Sequence, residues 1–168
     1  MYRIKLFCFL FPILILLMLT SCKAPDPTLD ESFNAELSIT YNNTEYTADL
    51  SRKPGELCVT VTSPDDLAGI TYTYIGDELT VSCAELSCIT ADGLPSSSVI
   101  QLIYDGITNA PNGSYRSTTD GADLFNVPTN RGAAELAISS GAPVSINADY
   151  CPYKISFKYS VEQQTGPG

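Results

Sequence analysis

Any chemistry in this chain falls to cysteines, carboxylates, hydroxyls and lysines, because the sequence contains no histidine. That removes the commonest general base and the commonest metal ligand. A cysteine nucleophile among Cys58, Cys83, Cys88 and Cys151 would have no imidazole to activate it. Cys83 and Cys88 have four residues between them, and without histidine the pair makes a poor zinc site. The tightest acidic groups are Asp65-Asp66 and Asp120-Gly121-Ala122-Asp123. Neither has calcium-loop spacing, and both lie in turn sequences where Asp caps backbone groups. A Ser–Lys arrangement would draw on Lys53, Lys154 or Lys158, and the last two share the outward face of one predicted strand. No glycine-rich loop opens a helix, which argues against a nucleotide site. The residue inventory points away from an enzyme, with no cofactor and no metal expected.

Cys22 is the exception, because of what precedes it. Arg3 and Lys5 are followed by an apolar run from Leu6 to Leu19, interrupted by Pro12. Charged start, apolar core and small-residue end make up the layout of a secretory signal. The 14 apolar residues are fewer than a membrane-spanning helix needs. Leu19-Thr20-Ser21-Cys22 resembles the lipobox of bacterial lipoproteins, in which the cysteine is acylated and becomes the mature N-terminus. Residues 1–21 are therefore expected to be a signal peptide. Residues 22–32, with Pro25, Pro27 and three acids, are expected to be a lipidated, solvated tether. Residues 33–160 would form one domain and 161–168 a loose tail. The membrane is then a partner through the N-terminal lipid, and the expected location is the extracytoplasmic face of the cell membrane.

The net charge is −10, and it becomes −12 without Arg3 and Lys5. Nucleic acid is not expected as a partner, because phosphate binding relies on clustered Lys and Arg. Outside the cytoplasm disulfides persist, and the closeness of Cys83 and Cys88 makes a small loop staple plausible. Three pairings of the four domain cysteines are open, as is a fully reduced state.

From Phe33 onward the pattern has period two. Phe33 to Tyr41 alternates, Asn42-Asn43 turns the chain, and Tyr46 to Leu50 returns. Leu57 to Val61, Ile70 to Tyr74 and Leu79 to Cys83 complete a five-strand meander. The middle changes period: Val99, Ile100, Ile103, Tyr104 and Ile107 form one helical stripe, predicting a helix over about residues 96–109. Strands then resume through Ser114–Thr118, Ala122–Val127, Ala133–Ile138, Val144–Ala148 and Tyr153–Tyr159. This is a mainly β (α+β) order of roughly nine or ten strands around one helix. Packing the helical stripe into the concave face of a curved antiparallel sheet would bury both apolar surfaces. Tyr41, Tyr46, Tyr72, Tyr74 and Tyr104 fall on inward positions, either as the amphipathic lining of a hollow or as core with hydroxyls at its rim.

The layout resembles the half-barrel of the LolA/LolB-like lipoprotein carriers. The nearest resemblance is to small lipoproteins of clostridia and related Gram-positive bacteria, the germination-lipoprotein-like group. The likeness rests on Leu37-Ser38-Ile39-Thr40-Tyr41 with Tyr46-Thr47-Ala48, and on Ser63-Pro64 before Leu67-Ala68-Gly69-Ile70-Thr71-Tyr72. Gly76-Asp77-Glu78-Leu79, the helix end Ile103-Tyr104-Asp105, Gly141-Ala142-Pro143-Val144-Ser145-Ile146 and Ile155-Ser156-Phe157 complete it. The resemblance implies a hollow that holds a lipid or acyl chain, with Tyr41, Tyr72, Tyr74, Ile100, Ile103 and Tyr104 as candidate contacts. Alternatively the hollow is filled and the protein binds an envelope protein, as partner or regulator of a cell-wall-modifying enzyme. The expectation at the N-terminus is directly testable. Radiolabelled palmitate should enter the protein, a Cys22→Ala variant should not take it up, and the mature mass should lack residues 1–21.

Overall fold

A computed structural model describes residues 24–90, 94–95 and 98–159. The expected signal peptide (residues 1–21), the expected lipidation site Cys22 and the expected tail (161–168) lie outside the described residues. The alternating segments become β1 (Phe33–Tyr41), β2 (Thr44–Lys53), β3 (Glu56–Ser63), β4 (Thr71–Ile75), β5 (Glu78–Cys83) and β6 (Leu86–Thr90). Helix α1 (Val99–Thr108) and a 3₁₀ turn (Ala110–Asn112) follow. The second run is β7 (Ser114–Thr119), β8 (Ala122–Thr129), β9 (Gly132–Ser139), β10 (Ala142–Ala148) and β11 (Cys151–Lys158).

All eleven strands form one antiparallel sheet in the order β6-β5-β4-β3-β2-β1-β11-β10-β9-β8-β7. The sheet is open and curved, and with the one α-helix among the described residues it is the expected half-barrel. The chain begins at the sheet centre and meanders out to one edge. It crosses by way of α1 to the other edge, then meanders back until β11 pairs with β1. Local chemistry sets the reversals. Asn42 and Asn43 take φ of 47° and 63°, and Asp120-Gly121 and Ser140-Gly141 are likewise both positive, the backbone of two-residue hairpin turns.

Two expectations are corrected. The sheet has eleven strands among the described residues rather than nine or ten. The first meander has six rather than five, because β6 pairs with β5 where the sequence suggested a loop. Strand β6 is only five residues long and uncharged, too short for alternation to separate it from a turn. The segment before β1 also differs from a free tether at its end. Leu29 packs on the core, the Asp30 amide donates to the Gly141 carbonyl at 2.8 Å, and Arg52 donates to the Asp30 carbonyl at 3.1 Å.

The core is the sheet's inward face. Leu37, Leu50, Val59, Leu79, Leu136, Ile146 and Ile155 are each no more than 1% exposed. Each such side chain contributes about 1.5–3 kcal/mol by leaving water. Helix α1 adds Ile100, Leu102, Ile103 and Ile107 to this cluster. Its Ser98 N-cap makes no side-chain capping bond, so tertiary packing rather than capping holds the helix. Gly106 lets α1 approach β10 closely, since a Cβ there would sit 3.0 Å from Ile146 Cδ1. Gly106→Val should therefore lower stability by about 1–3 kcal/mol through overpacking, despite the helix propensity gained on replacing Gly. Chemical denaturation of wild type and variant checks this, with Gly106→Ala expected to lose less.

Candidate functional site

Helix α1 divides the concave face into a sealed part and an open part. Its packing is against β8, β9 and β10. Within the sealed part a buried polar seam crosses the molecule. The Tyr74 hydroxyl on β4 donates to Gln101 Oε1 at 3.0 Å, and the Leu94 amide donates to the same oxygen at 3.3 Å. Gln101 Nε2 donates to Asp105 Oδ1 at 2.8 Å, and the Asn130 amide in the β8–β9 turn donates to Asp105 Oδ2 at 3.2 Å. Gln101 and Asp105 stand four residues apart on the helix, so both project to one side and join the two meanders. Both are buried, and no buried side-chain polar atom among the described residues lacks a partner.

The six candidate contacts do not form one pocket. Ile100, Ile103 and Tyr74 are 5%, 0% and 2% exposed and belong to the core. Tyr104 stacks on Tyr74 with centroids 3.9 Å apart and planes 18° apart, and its hydroxyl donates to the Gly76 carbonyl at 2.8 Å. Tyr74 and Tyr104, with Leu57 and Ile107, line a cleft of about 360 Å³ whose rim carries Glu31, Arg52, Lys53 and Glu56. Tyr41 and Tyr72 are half-buried and lie away from this cleft. Tyr41 packs on Tyr153 with ring centroids 4.8 Å apart.

The open part is the inward face of β3 to β6 beyond the helix. Register aligns Leu50, Val59, Tyr72, Val81 and Cys88 in one row across five strands. Burial falls along that row: Leu50 and Val59 are sealed, Tyr72 and Val81 are half-buried, and Cys88 is exposed. In the next row Ala48 is sealed, its partner Val61 is half-buried, and Cys83 faces Leu86, which is 79% exposed. Tyr46, Tyr72, Val81 and Tyr153 rest on the core while keeping part of their surface free. Sequence reasoning found Tyr72 on this face, and Tyr41 on the inward side of β1. It missed Leu86, and it placed Val61 and Val81 inward without showing that the helix would leave them open.

All four described cysteines are free thiols. Cys83 lies opposite Leu86 and Cys88 opposite Val81, so the two occupy a diagonal of the β5–β6 hairpin. Diagonal neighbours are about 7–8 Å apart, wider than the usual Cα separation of a disulfide. Burial pushes the Cys151 thiol up, which keeps it protonated and a poor nucleophile. No cluster of three potential metal ligands occurs among the described residues.

Burial, and then the neighbouring Asp105 carboxylate, push Tyr74 from 10.0 up to about 12. Burial likewise raises Tyr104 and Tyr153. The folded state thus favours the neutral phenol at Tyr74. Its contribution is fully present below pH 10 and is lost as the pH rises toward about 12. Spectrophotometric titration should show a late-ionising tyrosine near pH 12. Tyr74→Phe should remove that amplitude and weaken the loss of stability between pH 10 and 12.

No protein-family model matches the sequence, and no curated protein matches it. Among solved structures, an uncharacterized conserved protein from Thermus thermophilus is similar with a TM-score of 0.45 and 12% identity, over 81% of this chain and 86% of that one. A LolA superfamily protein from Nitrosomonas europaea is similar with a TM-score of 0.41 and 15% identity, over 81% of this chain and 68% of that one. Likenesses at this level carry no weight for function, so the site stands on its own geometry.

Proposed function

We propose that this protein is a non-enzymatic binding module whose open concave face takes an apolar ligand, an acyl chain or lipid. One observation carries the reading. The apolar lining of the sheet runs past the cover given by α1, from sealed Leu50 and Val59 through half-buried Tyr72 and Val81 to Leu86 at the edge. A concave, mostly apolar surface with few polar groups is the usual form of a small-molecule site. The tyrosines suit an amphipathic guest, since each ring offers apolar area and a polar tip. The cleft beside Tyr104 adds a rim of both signs, Glu31, Arg52, Lys53 and Glu56, able to meet a polar head group.

Export and anchoring are proposed with it. Acylation at Cys22 would hold the module on the extracytoplasmic face of the membrane, where apolar ligands are at hand. No helix among the described residues is long and apolar enough to cross a membrane. The absence of histidine, and the raised thiol of Cys151, support a role in binding rather than catalysis.

Titration of the full-length protein in mild detergent with a fluorescent long-chain fatty acid tests this. Saturable binding is expected, together with lipid in an organic extract read by mass spectrometry. Val81→Asp sets a charge on the face and should weaken binding by at least about tenfold, equivalent to about 1.4 kcal/mol. Lys154→Ala, on the exposed outer side, should leave binding unchanged. A folded protein that takes up no fatty acid and yields no lipid would overturn the reading in favour of a protein partner.

A further inference from the structure

The two edges of the sheet are built differently. Edge strand β7 carries a register break between Tyr115 and Ser117, and Arg116 is tied to Glu135 at 2.6 Å. Bulges and charges of this kind blunt an edge against pairing with another strand. Strand β6, the other edge among the described residues, has neither device. Its register with β5 is unbroken from Leu86 to Thr90, and its five residues include no charge, proline or glycine. It exposes apolar side chains on both faces, Leu86 at 79% and Ile89 at 64%. In an interior strand such residues would be covered by neighbours on both sides.

We infer that β6 is a self-pairing edge, on which a second copy of this chain adds its own β6 antiparallel about a two-fold axis. Self-complementarity selects this occupant, and charge leaves β6 as the place for it. The chain carries a net −10, so most surfaces of two copies repel, whereas β6 brings no charge to its own pairing. Centred on Cys88, the register sets Leu86 opposite the second copy's Thr90, and Ser87 opposite its Ile89. Apolar groups gain neighbours and no like charges meet. Opposed residues of antiparallel strands point to the same side of the sheet, so the two concave faces join into one trough. The contact is small and the dimer correspondingly weak. This inference stands whether or not the trough binds lipid.

The same register sets the two Cys88 residues directly opposite, about 4.5–5.5 Å apart and within reach of a disulfide. Full-length protein in detergent is treated with copper–phenanthroline, which accepts two electrons from the paired thiols as their two protons leave, and is run on a non-reducing gel. The expected product is a dimer linked through Cys88, lost in Cys88→Ser and kept in Cys83→Ser. Ile89→Lys retains the thiol but charges the edge. It should lose both the cross-link and the dimer seen by sedimentation velocity, with its melting temperature nearly unchanged. A monomer whose Cys88 stays unlinked would overturn the inference. So would a cross-link that forms through Cys83 instead, or one that survives Ile89→Lys. An extended segment of a different protein seated on β6 would leave the pure chain monomeric, which counts against self-pairing.

Discussion

Helix α1 is too small for the surface it must cover, and most of what distinguishes this molecule follows from that mismatch. Ten helical residues extend about 15 Å, whereas eleven strands at about 4.8 Å spacing measure about 48 Å across. The sheet's curvature brings much of its inward face within reach, and the helix meets Tyr74 on β4 as well, but its one apolar stripe covers only part of that face. It is pressed against β8 to β10, where Gly106 permits contact with Ile146. What remains on β3 to β6 is left partly open.

The polar seam makes this placement specific. Apolar packing alone would tolerate sliding of the helix along a greasy trough. The bonds from Tyr74 to Gln101 and from Asp105 to the Asn130 amide fix one position. A helix shifted by a turn would bury Gln101 and Asp105 without partners, at a cost of about 1–3 kcal/mol for each polar group. The seam therefore converts a sterically loose choice into a single arrangement, and it decides which side of the trough stays uncovered.

Much of this fold could be read from residue order. Alternation located the long strands because each has one wet and one dry face, and Asn42-Asn43 marked its hairpin because two positive φ values are needed there. The stripe from Val99 to Ile107 gave the helix and its buried side. Strand β6 escaped notice because it is exposed on both faces, so its hydrophobicity has no period. The site was legible only in part. Tyr41, Tyr72, Tyr74 and Tyr104 all point inward, as alternation requires, but periodicity reports which way a side chain faces and not what lies above it. Ile100 and Ile103 are core and Tyr72 is open because of where α1 rests, and that depends on Gly106 and the seam, which no local pattern announces.

The route of the chain has a mechanical consequence. Because the first and last of the described strands lie side by side at the sheet centre, Phe33 and Tyr159 are neighbours, their rings 6.3 Å apart. The β1–β11 ladder is the seam between the two meanders, and its partners are the most distant in sequence. Tension applied between the two chain ends would bear on that ladder first and unzip it one rung at a time, prising the left and right halves apart from the centre outward. A load carried through the N-terminal end alone would bypass that ladder.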